Sequence, residues 1–374
     1  MRKLMLAFLA MVMVLGSCIL SAQSDKEPLR IGYGGALLGN LASYGLSGYY
    51  GLEFAVLEAN AKGGVLGHEV VIVKEDDGCD PALASSAATK LAGEGLVLIS
   101  GHTCSGATRS ALSVYGNKAL VISPSATEVS LTDDGTYPFF FRTTPRDDAQ
   151  SRLQMQLLKK LGIKKVAVMH DKGDYGKALA DLIKADIDKD DAIEIVMFEG
   201  VTSGQVSFDS VISKLKNSGA EVLVWGGYYH DASKLVGQMR NKKVDTIVIG
   251  ADGLKNEGYV KMAGAAAEGT YATGQVDLTE NPLAKAAVED HKKRYPSEEY
   301  GPYYFYAGGG AQALFAAIEK AGSATDLEAI KKHLQEDTVE TIMGATRFDE
   351  KGDVIGAGFK MYQVKDGQYV EVPL

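Results

Sequence analysis

Three short polar stretches in this 374-residue chain carry the side chains best suited to hold a small charged molecule. Gly101-His102-Thr103-Cys104-Ser105-Gly106 and Pro124-Ser125-Ala126-Thr127-Glu128 each follow an apolar run, and the first leads into a helical pattern. Hydroxyls and unpaired N–H groups where a strand ends and a helix begins suit an anion such as a carboxylate. Ala251-Asp252-Gly253 follows a third apolar run and offers a negative charge for a cation. An α-amino acid bears both charges on one carbon and could bridge two such places. Each stretch alone also reads as ordinary helix capping. Their joint occurrence at strand ends is what links them.

Other chemistries find little support. Gly32-Tyr33-Gly34-Gly35-Ala36-Leu37 follows the first apolar run, but a dinucleotide fingerprint needs glycine where Leu37 stands. There is no G-x-x-x-x-G-K-[ST] loop and no G-x-S-x-G elbow. The six histidines are scattered, without H-E-x-x-H and without paired cysteine ligands, so neither metal nor cofactor is expected. His102 reads as structural, and His170-Asp171 and His230-Asp231 as caps and loop bonds.

Three cysteines bear on the compartment. The chain starts like an export signal: Arg2 and Lys3, an apolar core over 4–15, then Leu15-Gly16-Ser17-Cys18. Outside the cytoplasm Cys79 and Cys104 make an even pair expected to be oxidised. That leaves Cys18 where exported lipoproteins carry an acylated cysteine. Cleavage after Leu20-Ser21-Ala22 is the other option and would remove Cys18, so the signal is read as 1–22 with lipidation at Cys18 as the first option. The apolar core is shorter than the roughly 20 residues of a bilayer-spanning helix, and charges interrupt every later apolar segment. A soluble body, periplasmic or at the cell surface, is expected. Loss of Arg2 and Lys3 takes the formal net charge from −9 to −11. With no basic stripe to neutralise phosphates, no nucleic-acid partner is expected.

About 350 mature residues predict two domains. Strands are predicted over 29–34, 69–74, 96–100, 119–123, 165–170, 193–198, 221–226 and 246–250. Helices are predicted over 51–61, 82–93, 106–116, 148–161, 176–187, 208–217, 232–241, 283–294 and 312–321. The strands are continuously apolar, as in Val166-Ala167-Val168, a mark of sheets covered on both faces. Such alternation predicts an α/β fold with doubly wound parallel sheets. Breaks between domains are placed at 141–147, where Pro145 disfavours helix at Thr144, and at 273–282. The tail over 347–372 reads as short strands with turns at Lys351-Gly352-Asp353 and Lys365-Asp366-Gly367. Gly308-Gly309-Gly310 reads as a site of close helix packing.

Longer stretches make the pattern specific. They are Glu58-Ala59-Asn60-Ala61-Lys62-Gly63-Gly64-Val65-Leu66-Gly67, Asp76-Asp77-Gly78-Cys79-Asp80-Pro81 and His170-Asp171-Lys172-Gly173-Asp174-Tyr175-Gly176. Gly226-Gly227-Tyr228 and Phe348-Asp349-Glu350-Lys351-Gly352-Asp353 join them, with the two hydroxyl-rich stretches above. With these, nearly the whole mature chain resembles the periplasmic branched-chain amino-acid (leucine/isoleucine/valine) binding proteins of ABC importers. The resemblance implies a type I periplasmic-binding-protein fold, two lobes joined by a three-strand hinge that closes on ligand. The N-terminal lobe would comprise 27–146 plus 276–356, and the C-terminal lobe 147–275 plus 357–374.

The resemblance also implies roles. Ser105 and the backbone around Ser125, Ala126 and Thr127 would hold the α-carboxylate and part of the α-ammonium. Tyr175 and Tyr228 would close from the second lobe, Asp252 would pair with the ammonium, and Tyr44 and Tyr303 would line the side-chain pocket. The family often has glutamate where Asp252 stands, so the shorter arm shifts the ammonium or admits a water. Tyr303, Tyr304 and Tyr306 are bulkier or more polar than an aliphatic pocket requires, and they also read as the start of a core helix. Tyr49 and Tyr50 read as packing under the first helix, and Arg142 and Arg146 as hinge anchors.

The implied function is non-enzymatic. A monomer would capture a small amino acid of the leucine, isoleucine or valine type by hinge closure and deliver it to the membrane permease of an ABC importer. A receptor of the same fold for an amide, urea or aromatic acid, or a sensor subunit, is the alternative. An enzyme would need a nucleophile–base pair, a metal set or a cofactor loop, and the sequence presents none.

Overall fold

The computed structural model describes residues 26–374. Arg2, Lys3 and Cys18, and with them the expected export signal and acylation, lie outside the described residues. Strands and helices alternate through most of the chain. The first part holds β1 (Leu29–Gly35), α1 (Ala42–Ala61), β2 (Val70–Asp76), α2 (Pro81–Gly93), β3 (Leu98–Gly101) and α3 (Ser105–Tyr115). β4 (Leu120–Ser123), a single turn α4 (Ser130–Asp133) and β5 (Phe140–Arg142) complete it. The middle runs α5 (Asp147–Lys160), β6 (Lys165–His170), α6 (Asp174–Ile187), β7 (Glu194–Gly200), α7 (Asp209–Ser218) and β8 (Val222–Gly226). It continues through α8 (Tyr229–Asn241), β9 (Ile247–Gly250), α9 (Glu257–Ala263) and β10 (Tyr271–Gln275). The last part holds α10 (Pro282–Arg294), α11 (Tyr304–Ala321), α12 (Leu327–Glu336), β11 (Val339–Thr341), β12 (Gly344–Thr346), β13 (Phe359–Lys365) and β14 (Gln368–Val372).

Two main sheets result. The first is parallel in the order β2-β1-β3-β4-β5, the second has the order β14-β13-β10-β9-β8-β6-β7, and β11 pairs only with β12. The second sheet is mixed, because β13 runs antiparallel to both β10 and β14. A hairpin joins β13 to β14, and Asp366 and Gly367 both have positive φ, 51° and 73°. Such a two-residue turn matches strand twist. Parallel strands need crossover helices on both faces, and their side chains are buried accordingly: Val166, Ala167, Val168 and Met169 are each 0% exposed.

Two helices begin earlier than their apolar periodicity predicts. α1 starts at Ala42 rather than near 51, and α11 at Tyr304 rather than near 312. Glycine-rich starts such as Gly45-Leu46-Ser47-Gly48 disfavour helix in isolation. Here they allow close packing: a Cβ on Gly51 would stand 2.1 Å from the Tyr304 carbonyl oxygen. β5 and β10 lie where the sequence breaks its pattern, and both are short strands at the places where the chain leaves one sheet for the other.

Candidate functional site

Loops that follow β3, β4 and β9 converge on one cavity. Tyr44, Ser105, Ser125, Tyr175, Tyr228, Asp252 and Tyr303 line it, together with Thr103, Cys104 and Gly253. Ala126 and Thr127 are not in that lining, and both are 0% exposed.

One wall suits an anion. α3 begins at Ser105, and its first N–H groups have no intrahelical acceptor, so the positive end of the helix faces this loop. Ser105 Oγ accepts a long bond from the Glu128 N–H at 3.4 Å. The neighbouring loop is held by side chains: Ser123 Oγ donates to the His102 carbonyl at 2.6 Å and Ser125 Oγ to the Thr103 carbonyl at 2.7 Å. Arg142, fully buried, donates through Nη1 to the carbonyls of Ala126 (3.0 Å) and Glu128 (2.7 Å), and through Nε to Asp353 Oδ1 at 2.5 Å. One guanidinium thus ties the 125–128 loop to the segment that carries the chain back toward the second sheet.

The opposite wall holds a buried carboxyl group. Asp252 is 2% exposed. Its Oδ1 accepts from Gln150 Nε2 and Tyr175 Oη, each at 2.8 Å. Its Oδ2 accepts from Gln275 Nε2 at 3.2 Å and Tyr303 Oη at 3.3 Å. Burial pushes the phenols of Tyr175 and Tyr303 well above their usual pKa, so both donors are neutral. Burial also raises the Asp252 carboxyl, its four hydrogen bonds opposing that shift. No cation pairs with it among the described residues.

Tyrosine rings close the space between. Tyr175 stacks on Tyr228 with centroids 5.1 Å apart, and Tyr44 lies 5.9 Å from Tyr228 and 5.5 Å from Tyr303. Their hydroxyls are largely committed to the protein: Tyr44 Oη donates to the Gly253 carbonyl at 2.6 Å, and Tyr175 Oη accepts from the Gly253 N–H at 3.0 Å. Rings, not hydroxyls, are left as walls. The Tyr44–Gly253 bond joins residues packed on different sheets, as do Tyr229 Oη to the Asn40 carbonyl (2.8 Å) and Asn256 Nδ2 to Ser43 Oγ (3.1 Å). The cavity is about 10 Å³, room for about one water. A side chain the size of leucine fits only when these contacts part.

Sequence reasoning missed Gln150, Gln275 and the backbone of Gly253. A signal for the first existed: Asp147, Gln150, Ser151 and Gln154 fall at helical spacing on α5, and all four are 0% exposed. A buried polar stripe on a helix calls for partners. Gln150 bridges two acids, donating to both Asp147 Oδ1 and Asp252 Oδ1 at 2.8 Å. Asp147 Oδ2 and Thr127 Oγ1 are buried without a hydrogen-bond partner.

The periplasmic binding protein family matches residues 28–368. The chain belongs to that family. It is 36% identical over 353 residues to the Leu/Ile/Val-binding protein homolog 3 of Brucella melitensis, covering 93% of this chain and 95% of that one. It is 32% identical over 356 residues to the Leu/Ile/Val-binding protein of Escherichia coli, with the same two coverages, 93% and 95%. Among solved structures it is similar to the branched-chain amino acid transporter substrate binding protein of Streptococcus pneumoniae in complex with isoleucine. That likeness has a TM-score of 0.80 and 27% identity, covering 92% of this chain and all (100%) of that one. A leucine binding protein from Thermotoga maritima shares the fold with a TM-score of 0.83 at 24% identity, covering 92% of this chain and 98% of that one.

Two expected results attach to this site in a binding protein of the family. Cys79 and Cys104 form a disulfide with Cα atoms 5.4 Å apart and a sequence separation of 25. In the chain-entropy relation such a loop contributes about 3–4 kcal/mol. The double variant Cys79→Ser/Cys104→Ser should lose that much in denaturant unfolding, and its Ser105 loop should loosen. A loss below about 1 kcal/mol would contradict the assignment.

The second concerns pH. Burial, and then the nearby Asp252 charge, raises Asp147 to a pKa of about 8. The folded chain keeps that proton up to about pH 8, whereas an unfolded aspartate releases it near 4. Its contribution to stability is therefore complete below pH 4 and lost as pH rises to 8. His170, His230 and His291, whose pKa values burial lowers, act in the opposite sense. Comparison with Asp147→Asn isolates the effect. Melting of the ligand-free variant should depend less on pH between 5 and 8 than melting of the parent, and parallel curves would refute it.

Proposed function

We propose that this chain captures an amino acid of the leucine, isoleucine or valine type between its two lobes and delivers it to the membrane permease of an ABC importer. The observation that carries the reading is Asp252, a buried carboxylate with four neutral donors and no counter-ion among the described residues. A buried charge is costly until it is paired, and an α-ammonium supplies the partner. The α-carboxylate then lies toward Ser105, the α3 N-terminus and the backbone around Ser125. The aliphatic side chain packs among the rings of Tyr44, Tyr228 and Tyr303. An amide or urea brings no charge for Asp252, and an aromatic acid brings one of the wrong sign. The relatives' names support the same ligand class and a permease partner. They also favour a binding protein over an enzyme.

Both walls of the site come from one chain, so a monomer suffices. Export with acylation at Cys18 places the protein in the periplasm or at the cell surface, tethered by lipid. A mature N-terminus at Gln23 would refute the tether. The ligand is tested by mass spectrometry of small molecules released when purified protein is denatured. Leucine, isoleucine or valine is expected, and an amide, a urea or an aromatic acid in stoichiometric amount would overturn the reading.

A further inference from the structure

Gln275, which donates to Asp252, also lines a second and larger cavity of about 640 Å³. Its walls come from both lobes: Tyr50, Tyr300, Phe305 and Tyr306 from one, Lys255 and Tyr362 from the other. The Lys255 stem passes over Gly274, where a Cβ would stand 2.0 Å from Lys255 Cδ, so the lysine is seated in a groove cut for it. Lys255 Nζ lies 4.6 Å from the centre of the Tyr362 ring and 5.7 Å from that of Tyr369. The phenols of these rings are engaged elsewhere, Tyr362 with the Gln275 carbonyl and Tyr369 with the Leu254 carbonyl. Among the described residues the Lys255 amine makes no hydrogen bond and no ion pair. Burial lowers its pKa, while Glu257 and Asp277 act on it as nearby charges. In the same cavity Tyr306, 2% exposed, has a hydroxyl without a hydrogen-bond partner.

Glu257, Asp277, Glu298, Glu299 and Lys261 also line this cleft, and within it an unpaired amine and an unpartnered hydroxyl beside aromatic rings are the local complement of an acid with a flat apolar body. We propose that this cleft is a second binding site, for a small carboxylate that carries an aromatic ring. The carboxylate takes Lys255 Nζ and Tyr306 Oη, and the ring lies against Tyr50, Tyr300 and Phe305. Both lobes supply walls of the cleft, so an occupant bridges them.

The probe is phenylacetate, titrated calorimetrically, with benzylamine as the control that lacks the carboxylate. Phenylacetate should bind the parent and Asp252→Asn alike. It should bind Lys255→Met and Lys255→Gln roughly 10- to 100-fold more weakly, as expected when a charged hydrogen-bond partner is removed. Two replacements guard against a folding defect in either. Benzylamine should not bind. No binding to the parent, or equal binding by phenylacetate and benzylamine, would overturn the site. Binding lost in Asp252→Asn but kept in both Lys255 variants would overturn it too, by placing the acid in the first pocket. None of these arms requires leucine to bind, so the two readings fail separately.

Discussion

Asp252→Asn is expected to lose roughly 30- to 4,000-fold in affinity for leucine-type amino acids. Removing one partner of a buried charge pair costs about 2–5 kcal/mol, because the other charge is left unpaired, and each 1.4 kcal/mol is about tenfold. The ligand-free protein should melt much as before. In it Asp252 already lacks a counter-ion, and burial raises its pKa, so the neutral amide removes a charge that nothing compensates. Its carbonyl can accept from Gln150 and Tyr175, while the Tyr303 hydroxyl can turn to accept from the new amide. Calorimetric titration with leucine, isoleucine, valine and alanine, beside apo melting, separates the two effects. Unchanged affinity in the variant would mean that the ammonium is held elsewhere.

Arg142→Met should cost about 3–5 kcal/mol of stability, the usual result of breaking a buried pair by removing one partner. The methionine keeps much of the volume, so the loss is polar. Asp353 loses its fully buried partner, and the carbonyls of Ala126 and Glu128 and the hydroxyl of Thr132 lose a donor. Because that guanidinium also holds the 125–128 loop, ligand affinity should fall with stability. Arg142→Lys should recover part of the stability but little of the affinity, since an ammonium cannot reproduce the fork that meets two carbonyls and a carboxylate at once. Denaturant unfolding and titration of both variants check this. Lysine behaving as arginine would leave only charge, not geometry, as the role of residue 142.

Much of the framework was legible because parallel strands covered on both faces must be apolar throughout. Runs such as Val166-Ala167-Val168 therefore stand out, and all eight predicted strands have counterparts in the two main sheets. Helix starts were less legible. The glycines of α1 and α11 read as breakers until the close approach of Gly51 to Tyr304 is known. β5 is three residues long, and β10, Tyr271-Ala272-Thr273-Gly274-Gln275, carries no apolar run to mark it. The candidate site divides the same way. Asp252 and the hydroxyls near Ser105 and Ser125 were visible as strand-end residues. Gln150 and Gln275, which complete the shell of Asp252, come from positions 102 and 23 residues away in sequence, and no local signal ties them to it. The tyrosines looked too polar for an aliphatic ligand because sequence cannot say where a hydroxyl is spent. Tyr44 and Tyr303 turn theirs onto Gly253 and Asp252.

The most direct test of the two-charge site is calorimetric titration of ligand-free protein with leucine, with 4-methylpentanoate, which lacks the ammonium, and with 3-methylbutylamine, which lacks the carboxylate. Leucine should bind tightly, and each analogue should bind at least about 30-fold more weakly, because each leaves one wall of the site unpaired. Binding of 4-methylpentanoate as tight as that of leucine would contradict the role assigned to Asp252.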